Sequence, residues 1–153
     1  MATRGASRLF LDANVLISAL RGPGVCEDLL MEAARDHYSA VVSWFVLAET
    51  AEVLARKFRT PAEDVRDALA AMRLQTVTDA SIFAVRQAAS LVTDADDAPV
   101  LAAALQAKVD ALVTGDAHFF APAVQARIRV LTPREALDMV RGGISRAESE
   151  GDG

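Results

Sequence analysis

The chain has 153 residues, a length typical of one domain and too short for two domains with complete cores. Hydrophobic residues make up 52% of the sequence, which allows a substantial core and excludes a chain that is disordered over most of its length. The formal net charge of −5 argues, taken alone, against nucleic-acid binding, because proteins neutralise phosphates with Lys and Arg.

Short apolar runs alternate with helical patterns through the first half of the chain. Residues 8–11 (RLFL) and 40–43 (AVVS) are predicted to be buried strands. Helices are predicted from residue 14 to the Gly-Pro-Gly break at 22–24, over 25–37, over 44–58, and from an N-cap at Thr60 to about residue 74. In the helix at 44–58, the spacing predicts a buried stripe formed by Leu47, Ala51, Leu54 and Phe58.

The second half continues this alternation. Residues 75–78 indicate a short strand, Ser81 caps a helix reaching about residue 92, and an acidic turn at 93–97 precedes a helix over 100–108. Strands are predicted at 111–114 and 128–131, and a last helix from Pro133 to about Gly142. We interpret 1–7 and 142–153 as an N-terminal tail and a disordered C-terminal tail around one domain at 8–141. The alternation predicts an α/β fold with a parallel sheet.

Acidic residues follow two of the predicted strands. Asp12 comes directly after the first strand, and Asp116 lies two residues beyond the strand at 111–114. Because ligands of open parallel sheets bind beyond the carboxyl ends of the strands, we expect both carboxylates at that edge. Glu49, on the helix after the second strand, and Asp97, at the head of another helix, are expected to join them.

Each of these acids also has a simpler interpretation. Asp12 and Asp97 could be helix N-caps, and Asp116 could be a turn residue after a glycine. Glu49 is harder to explain in this way, because it shares a helix face with apolar residues. Glu52, by contrast, lies four residues before Arg56 and suits a surface ion pair.

Convergence of four carboxylates favours a divalent cation. Without one they would repel and raise each other's pKa, and Mg²⁺ or Mn²⁺ is the natural partner of all-oxygen ligands. No Cys/His set with zinc spacing is present, since His37 and His118 are isolated in the sequence. A carboxylate-bound Mg²⁺ can polarise a phosphoryl oxygen and activate water for phosphodiester hydrolysis.

Four stretches of the sequence resemble, in order, the signature motifs of PIN-domain proteins, with a spacing similar to VapC-like bacterial toxins. They are LFLDANVLISAL (9–20), SWFVLAETAEVL (43–54), DADDAPVLAAAL (94–105) and ALVTGDAHFF (111–120). The resemblance runs from about Arg8 to Leu137. It implies a three-layer α/β/α sandwich with a mostly parallel central sheet, and Mg²⁺- or Mn²⁺-dependent ribonuclease activity.

The resemblance also assigns roles to residues. It implies that Asp12, Glu49, Asp97 and Asp116 are the catalytic, metal-binding acids. Asn14 and Thr114 match polar positions that support such a site, although a helix start and a strand end explain them equally simply. In the third stretch Asp97 is preferred because it directly precedes the helix, while Asp94 and Asp96 could contribute through water.

Partners follow from the same resemblance. It implies an RNA substrate, a small cognate antitoxin that covers the site, and a homodimer. The densest basic stretch, Arg56, Lys57 and Arg59, could grip the RNA backbone, although cations also favour a helix C-terminus. A catalytically silent PIN-like module that binds RNA or protein is the main alternative; a phosphoacceptor domain is disfavoured because the expected Lys after a late strand is missing.

Location is predicted from composition. No apolar run approaches the roughly 20 residues needed to cross a bilayer, and residues 1–7 lack the pattern of a signal peptide. The single cysteine, Cys26, cannot form an internal disulfide. We therefore expect a cytoplasmic protein without membrane contacts.

Overall fold

The computed structural model describes residues 7–151, with side chains described for 7–144. Residues 1–6 of the predicted N-terminal tail, and the last two residues of the C-terminal one, lie outside this range. In chain order the elements are β1 (Arg8–Leu11), α1 (Ala13–Arg21), α2 (Val25–Ala34), β2 (Ser39–Ser43), α3 (Trp44–Phe58), α4 (Ala62–Ala71), β3 (Leu74–Val77), α5 (Ile82–Ala89), α6 (Ala98–Ala107), β4 (Ala111–Val113), α7 (Pro122–Gln125), β5 (Val130–Leu131) and α8 (Pro133–Gly151). Two short 3₁₀ helices cover Ala95–Asp97 and Ala117–Phe120.

The strands form one parallel sheet in the order β3-β2-β1-β4-β5. β1 lies at the centre, with Leu9 paired with Ala40 of β2 and with Ala111 of β4. Leu9, Phe10 and Leu11 are fully buried, as expected for a strand covered on both faces. The predicted α/β fold with a parallel sheet is therefore confirmed, and the sheet is parallel throughout.

Helices cover both faces of the sheet and make it the middle layer of three. α1 packs against α2 and α3, α2 also packs against α8, and α5 packs against α6. The chain passes from β1 to β2 and β3 on one side, then returns through α5 and α6 to β4 on the other side of β1. Strand order therefore reverses between β1 and β4, which is where open α/β sheets form ligand crevices.

Several boundaries differ from the sequence prediction, including both ends of α4 and the end of α8. α4 has Pro61, not Thr60, as its N-cap and ends at Ala71, because β3 pairs with β2 from Leu74 onward. α8 continues past Gly142 to Gly151, so the predicted helix end was wrong. Neither Gly142 nor Gly143 adopts the positive φ of a helix C-cap, and glycine inside a helix costs only about 1 kcal/mol. Whether 8–141 alone is the folded domain stays a prediction.

The buried face of α3 also differs from the predicted stripe. Its buried residues are Val46, Thr50 and Leu54, whereas Phe58 is 41% exposed. Thr50 is tolerated there because its hydroxyl donates a hydrogen bond to the Val46 carbonyl at 2.8 Å. In the described part of the chain no helix combines the length and apolar character needed to cross a membrane.

Candidate active site at the carboxyl edge of the sheet

Asp12 lies where β1 ends and α1 begins. Its backbone N–H donates to the Val113 carbonyl at 3.0 Å, which extends the β1–β4 pairing by one bond. Its Oδ1 accepts from the Ala13 N–H at 2.8 Å, and Oδ2 accepts from Thr114 Oγ1 at 2.8 Å and Asn14 Nδ2 at 3.0 Å. Asp12 is only 4% exposed. It therefore serves as a helix N-cap and as a buried carboxylate of fixed orientation.

Asn14 and Thr114 join the ends of the two central strands. Asn14 Nδ2 also donates to Thr114 Oγ1 at 3.2 Å, and Asn14 Oδ1 accepts from the Gly115 N–H at 2.9 Å. The Thr114 hydroxyl accepts from the Asp116 N–H at 3.0 Å. These bonds connect Asp12 to the loop that carries Asp116, across about a hundred positions of sequence.

Asp116 is half-buried at the start of the Ala117–Phe120 helix. Its Oδ1 accepts from the His118 N–H at 2.9 Å, so the turn role considered from the sequence is real. Phe119, which follows His118, is 1% exposed and anchors this short helix in the core.

Asp97 ends the 3₁₀ helix Ala95–Asp97 and directly precedes α6, but its side chain does not cap α6. Its Oδ2 is buried and has no hydrogen-bond partner among the described residues. Burial, followed by the charges of Asp116, Asp94 and Asp12, raises the pKa of Asp97 to about 6. A buried carboxylate oxygen without a donor is an atom that an ion or a water molecule can satisfy.

Its neighbours Asp94 and Asp96 are exposed. Asp94 Oδ1 accepts from the Asp96 N–H at 2.9 Å, which is a local capping role. Of the three aspartates in this stretch, Asp97 is the one with a buried oxygen, and this favours it as the functional acid.

Glu49 is half-buried on α3. Its pKa is raised by burial first, then by the negative charges of Asp12, Asp97, Glu52 and Asp96. Glu52 itself forms a surface ion pair, with Oε1 3.0 Å from Arg56 Nε and both side chains about 60% exposed. The predicted Glu52–Arg56 ion pair is therefore confirmed, whereas the functional role of Glu49 stays a prediction.

Mutual repulsion connects all four acids. Burial raises the pKa of Asp12, hydrogen bonds from Thr114, Ala13 and Asn14 lower it, and the charge of Asp116 raises it again. Asp12 and Asp97 thus act on Glu49, and Asp116 acts on Asp12 and Asp97. Among the described residues, Asp97 and Asp116 are the two of these acids that fall within one 4.8 Å group of possible ligand atoms. Such a donor set fits Mg²⁺ or Mn²⁺, and the unpartnered Asp97 Oδ2 supplies a free ligand atom.

His118 is a neighbour of this cluster that the sequence interpretation treated as isolated. Asp97, Asp116 and His118 each offer one ligand atom, and these atoms lie within 4.8 Å of one another. Its position two residues after Asp116 was the available signal, because a tight turn brings residues at that spacing together.

The basic stretch lies away from the acids. Arg56 is paired with Glu52, and Arg59 is the C-cap of α3 in the left-handed conformation, with φ 51°. Arg59 is about 15 Å along the helix axis from Glu49, given a rise of about 1.5 Å per residue. These cations therefore lie outside the carboxylate cluster.

Comparison with protein families identifies the group to which the chain belongs. The PIN-domain family model matches residues 8–118, a span that contains all four acids. The chain is a member of the PIN-domain family. The resemblance found in the four sequence stretches is thereby confirmed. Curated protein sequences give no significant match.

Solved structures show the same PIN fold. VapBC2 from Rickettsia felis, solved with a DNA fragment from its promoter, is 17% identical, with a TM-score of 0.60 over 82% of this chain and 98% of that one. A toxin–antitoxin complex from Klebsiella pneumoniae is 20% identical, with a TM-score of 0.58 over 82% and 97%. The sarcin-ricin loop cleaving toxin VapC20 of Mycobacterium tuberculosis is 17% identical, with a TM-score of 0.55 over 73% and 92%. The three-layer α/β/α architecture is confirmed.

Proposed function

We propose that this PIN domain is a metal-dependent endoribonuclease that hydrolyses RNA phosphodiester bonds, as the toxin of a toxin–antitoxin pair. The observation that carries the proposal is the set of four acids, connected by repulsion between neighbours, at the point where strand order reverses. PIN proteins are in general ribonucleases, which supports RNA as the substrate class.

Each residue of the site has a role in this proposal. Asp12, Glu49, Asp97 and Asp116 hold Mg²⁺ or Mn²⁺, while Asn14 and Thr114 position Asp12. When bound, the cation supplies Lewis-acid stabilisation of a phosphodiester and activation of water. The hydrogen bonds from Thr114 and Asn14 fix the Asp12 carboxylate before substrate arrives, so no reorientation is required during the reaction.

We propose that the chain acts in the cytoplasm. Its proposed partners are an RNA substrate, a cognate antitoxin and a second copy of the chain. The likeness to VapBC complexes supports the antitoxin, and a buried carboxylate cluster suits an inserted Arg of such a partner. Arg56, Lys57 and Arg59 are proposed to contact the RNA backbone outside the cleavage site.

RNA cleavage by the purified chain tests the proposed activity. We expect cleavage of structured or unstructured RNA with Mg²⁺ or Mn²⁺, its loss in excess EDTA, and its loss in Asp12→Ala and Asp116→Asn. Asp67→Asn, an exposed acid on α4, is the matched control and should retain activity. Metal-independent cleavage, or cleavage by both folded site variants, would overturn the mechanism. RNA binding without cleavage would favour the catalytically silent module.

A further inference from the structure

We propose that His118 is a nitrogen ligand of the cation held by Asp97 and Asp116, and that it shifts the preference of the site from Mg²⁺ toward Mn²⁺ and Co²⁺. This inference rests on the proposed function for the presence of a cation. It adds a ligand that is neither acidic nor part of the four-carboxylate set.

The first support is distance. One ligand atom each from Asp97, Asp116 and His118 lies within 4.8 Å of the other two. Ligands on opposite sides of one cation, each about 2.1 Å from it, are about 4.2 Å apart. The three side chains are therefore near enough to reach the same ion once their side-chain torsions adjust.

The second support is the way the turn holds each group. Asp116 Oδ1 accepts from the His118 N–H, and the buried Phe119 fixes the same 3₁₀ helix in the core. The His118 side chain is itself 63% exposed, with Nδ1 3.4 Å from Asp116 Oδ1. The backbone is thus fixed beside the site, and the exposed imidazole lies next to Asp116.

The third support is the unpartnered oxygen of Asp97. Asp97 Oδ2 is buried without a hydrogen bond among the described residues, although His118 lies close enough to lower the pKa of that carboxyl. A simple His118–Asp116 ion pair explains neither this oxygen nor the meeting of three ligand groups. Exposed ion pairs of that kind contribute little to stability.

Ligand chemistry gives the direction of the effect. Carboxylates suit Mg²⁺ and Mn²⁺, whereas imidazole suits later first-row transition metals, whose affinity rises from Mn²⁺ to Co²⁺. Replacing one water of an all-oxygen site with an imidazole nitrogen should strengthen binding of Co²⁺ most, Mn²⁺ less, and Mg²⁺ hardly at all.

Calorimetric titration without RNA measures this preference. For His118→Ala we expect the Kd for Co²⁺ and Mn²⁺ to rise at least about tenfold, as loss of a metal-orienting group typically does, and the Kd for Mg²⁺ to change less than about twofold. His37→Gln is the matched control, because His37 is the second of the two histidines and hydrogen-bonds Glu32 at the end of α2. Its affinities should equal those of the wild type.

Electron spin echo spectroscopy of the Mn²⁺ complex provides a direct readout. The chain has two histidines, so an imidazole ¹⁴N coupling that is present in the wild type and His37→Gln but absent in His118→Ala assigns the ligand. Absence of the coupling in the wild type, its persistence in His118→Ala, or equal losses of Mg²⁺ and Co²⁺ affinity would overturn the inference. RNA cleavage by the wild type, assayed in parallel with Mg²⁺, tests the proposed nuclease separately, so failure of the ligand assignment is distinguishable from failure of the proposed function.

Discussion

At the scale of single residues, Thr114 is the connection between the two halves of the site. Its hydroxyl donates to Asp12 Oδ2 and accepts from the Asp116 N–H and from Asn14 Nδ2, at distances of 2.8 to 3.2 Å. The side chain is completely buried, so water cannot replace these bonds. Thr114 therefore orients the Asp12 carboxylate and holds the backbone that carries Asp116.

Thr114→Val keeps the side-chain shape and removes the hydroxyl. Because it leaves buried polar partners unsatisfied, we expect the free energy of unfolding to fall by about 1–3 kcal/mol. RNA cleavage should fall by about 10- to 100-fold, since the Asp12 carboxylate is no longer fixed. Urea denaturation and initial cleavage rates measure the two effects. Thr114→Ser, which keeps the hydroxyl, is the control; if it loses as much activity as Thr114→Val, the hydrogen bonds are not the reason.

At the scale of elements, the turn from α2 to β2 is held by an ionic cluster at the opposite edge of the sheet. Glu32 is 4% exposed, and its carboxylate binds Arg35 at 3.2 Å and His37 Nδ1 at 2.6 Å. The hydrogen bond from His37 is the main reason that the pKa of Glu32 is lowered. The cluster fixes the end of α2 where Asp36 adopts a positive φ of 62°.

Glu32→Gln should destabilise the protein by roughly 1 kcal/mol at pH 7, because a charge-assisted bond is replaced by a neutral one. A lowered pKa means that the contribution of Glu32 is present above its unfolded value of about 4.5 and is lost as pH falls through the folded pKa. The difference in unfolding free energy between Glu32→Gln and wild type, measured from denaturation curves, should therefore become smaller below about pH 4.5. Glu52→Gln, in an exposed pair, should differ little at either pH. A difference in unfolding free energy between wild type and Glu32→Gln that does not change with pH would contradict this account.

The elements also show how far sequence reasoning reaches. β1 and α3 were predicted with their observed bounds, since a short apolar run and a strongly periodic segment leave little choice. The buried face of α3 was not predicted correctly. Thr50 lies in the core because its hydroxyl donates a hydrogen bond to a carbonyl of the same helix. α7 and the 3₁₀ helices are too short to produce a period.

The candidate site, like the fold, was predicted from the sequence only in part. Strand ends placed Asp12 and Asp116 at one edge, and the structure agrees, because pairing of β1 with β4 is what brings them together. The proximity of His118 was missed, although its position two residues after Asp116 was a signal, because the 3₁₀ turn that produces it is too short to show a period.

At the scale of the whole molecule, exposed apolar side chains gather near the carboxyl ends of β2 and β3. Trp44 is 59% exposed at the start of α3, and Ile82 and Phe83 are 74% and 70% exposed at the start of α5. The Phe45 N–H donates to Asp79 Oδ1 at 2.8 Å and joins the two segments. Exposed apolar side chains at this edge suit the proposed homodimer.

Replacing Ile82 and Phe83 together with Asp tests that patch. The acids suit the first turn of α5, so the fold should persist while the dimer dissociates. We expect light scattering to give about twice 16.3 kDa for the wild type and about 16.3 kDa for the variant. Met31→Asp alters an exposed apolar residue of α2 and should leave the dimer intact. A monomeric wild type, or a variant that still dimerises, would contradict the proposed interface.

The most direct test of the central claim is whether the acids act as one unit. RNA cleavage rates should be measured with Mn²⁺ for Asp12→Asn, Asp116→Asn and the double variant, each checked for folding. If both carboxylates hold one cation site, each single change should reduce the rate by at least about 100-fold, and the double variant should be no slower than the worse single variant. Losses that multiply in the double variant, or single variants that keep wild-type rates, would contradict the account.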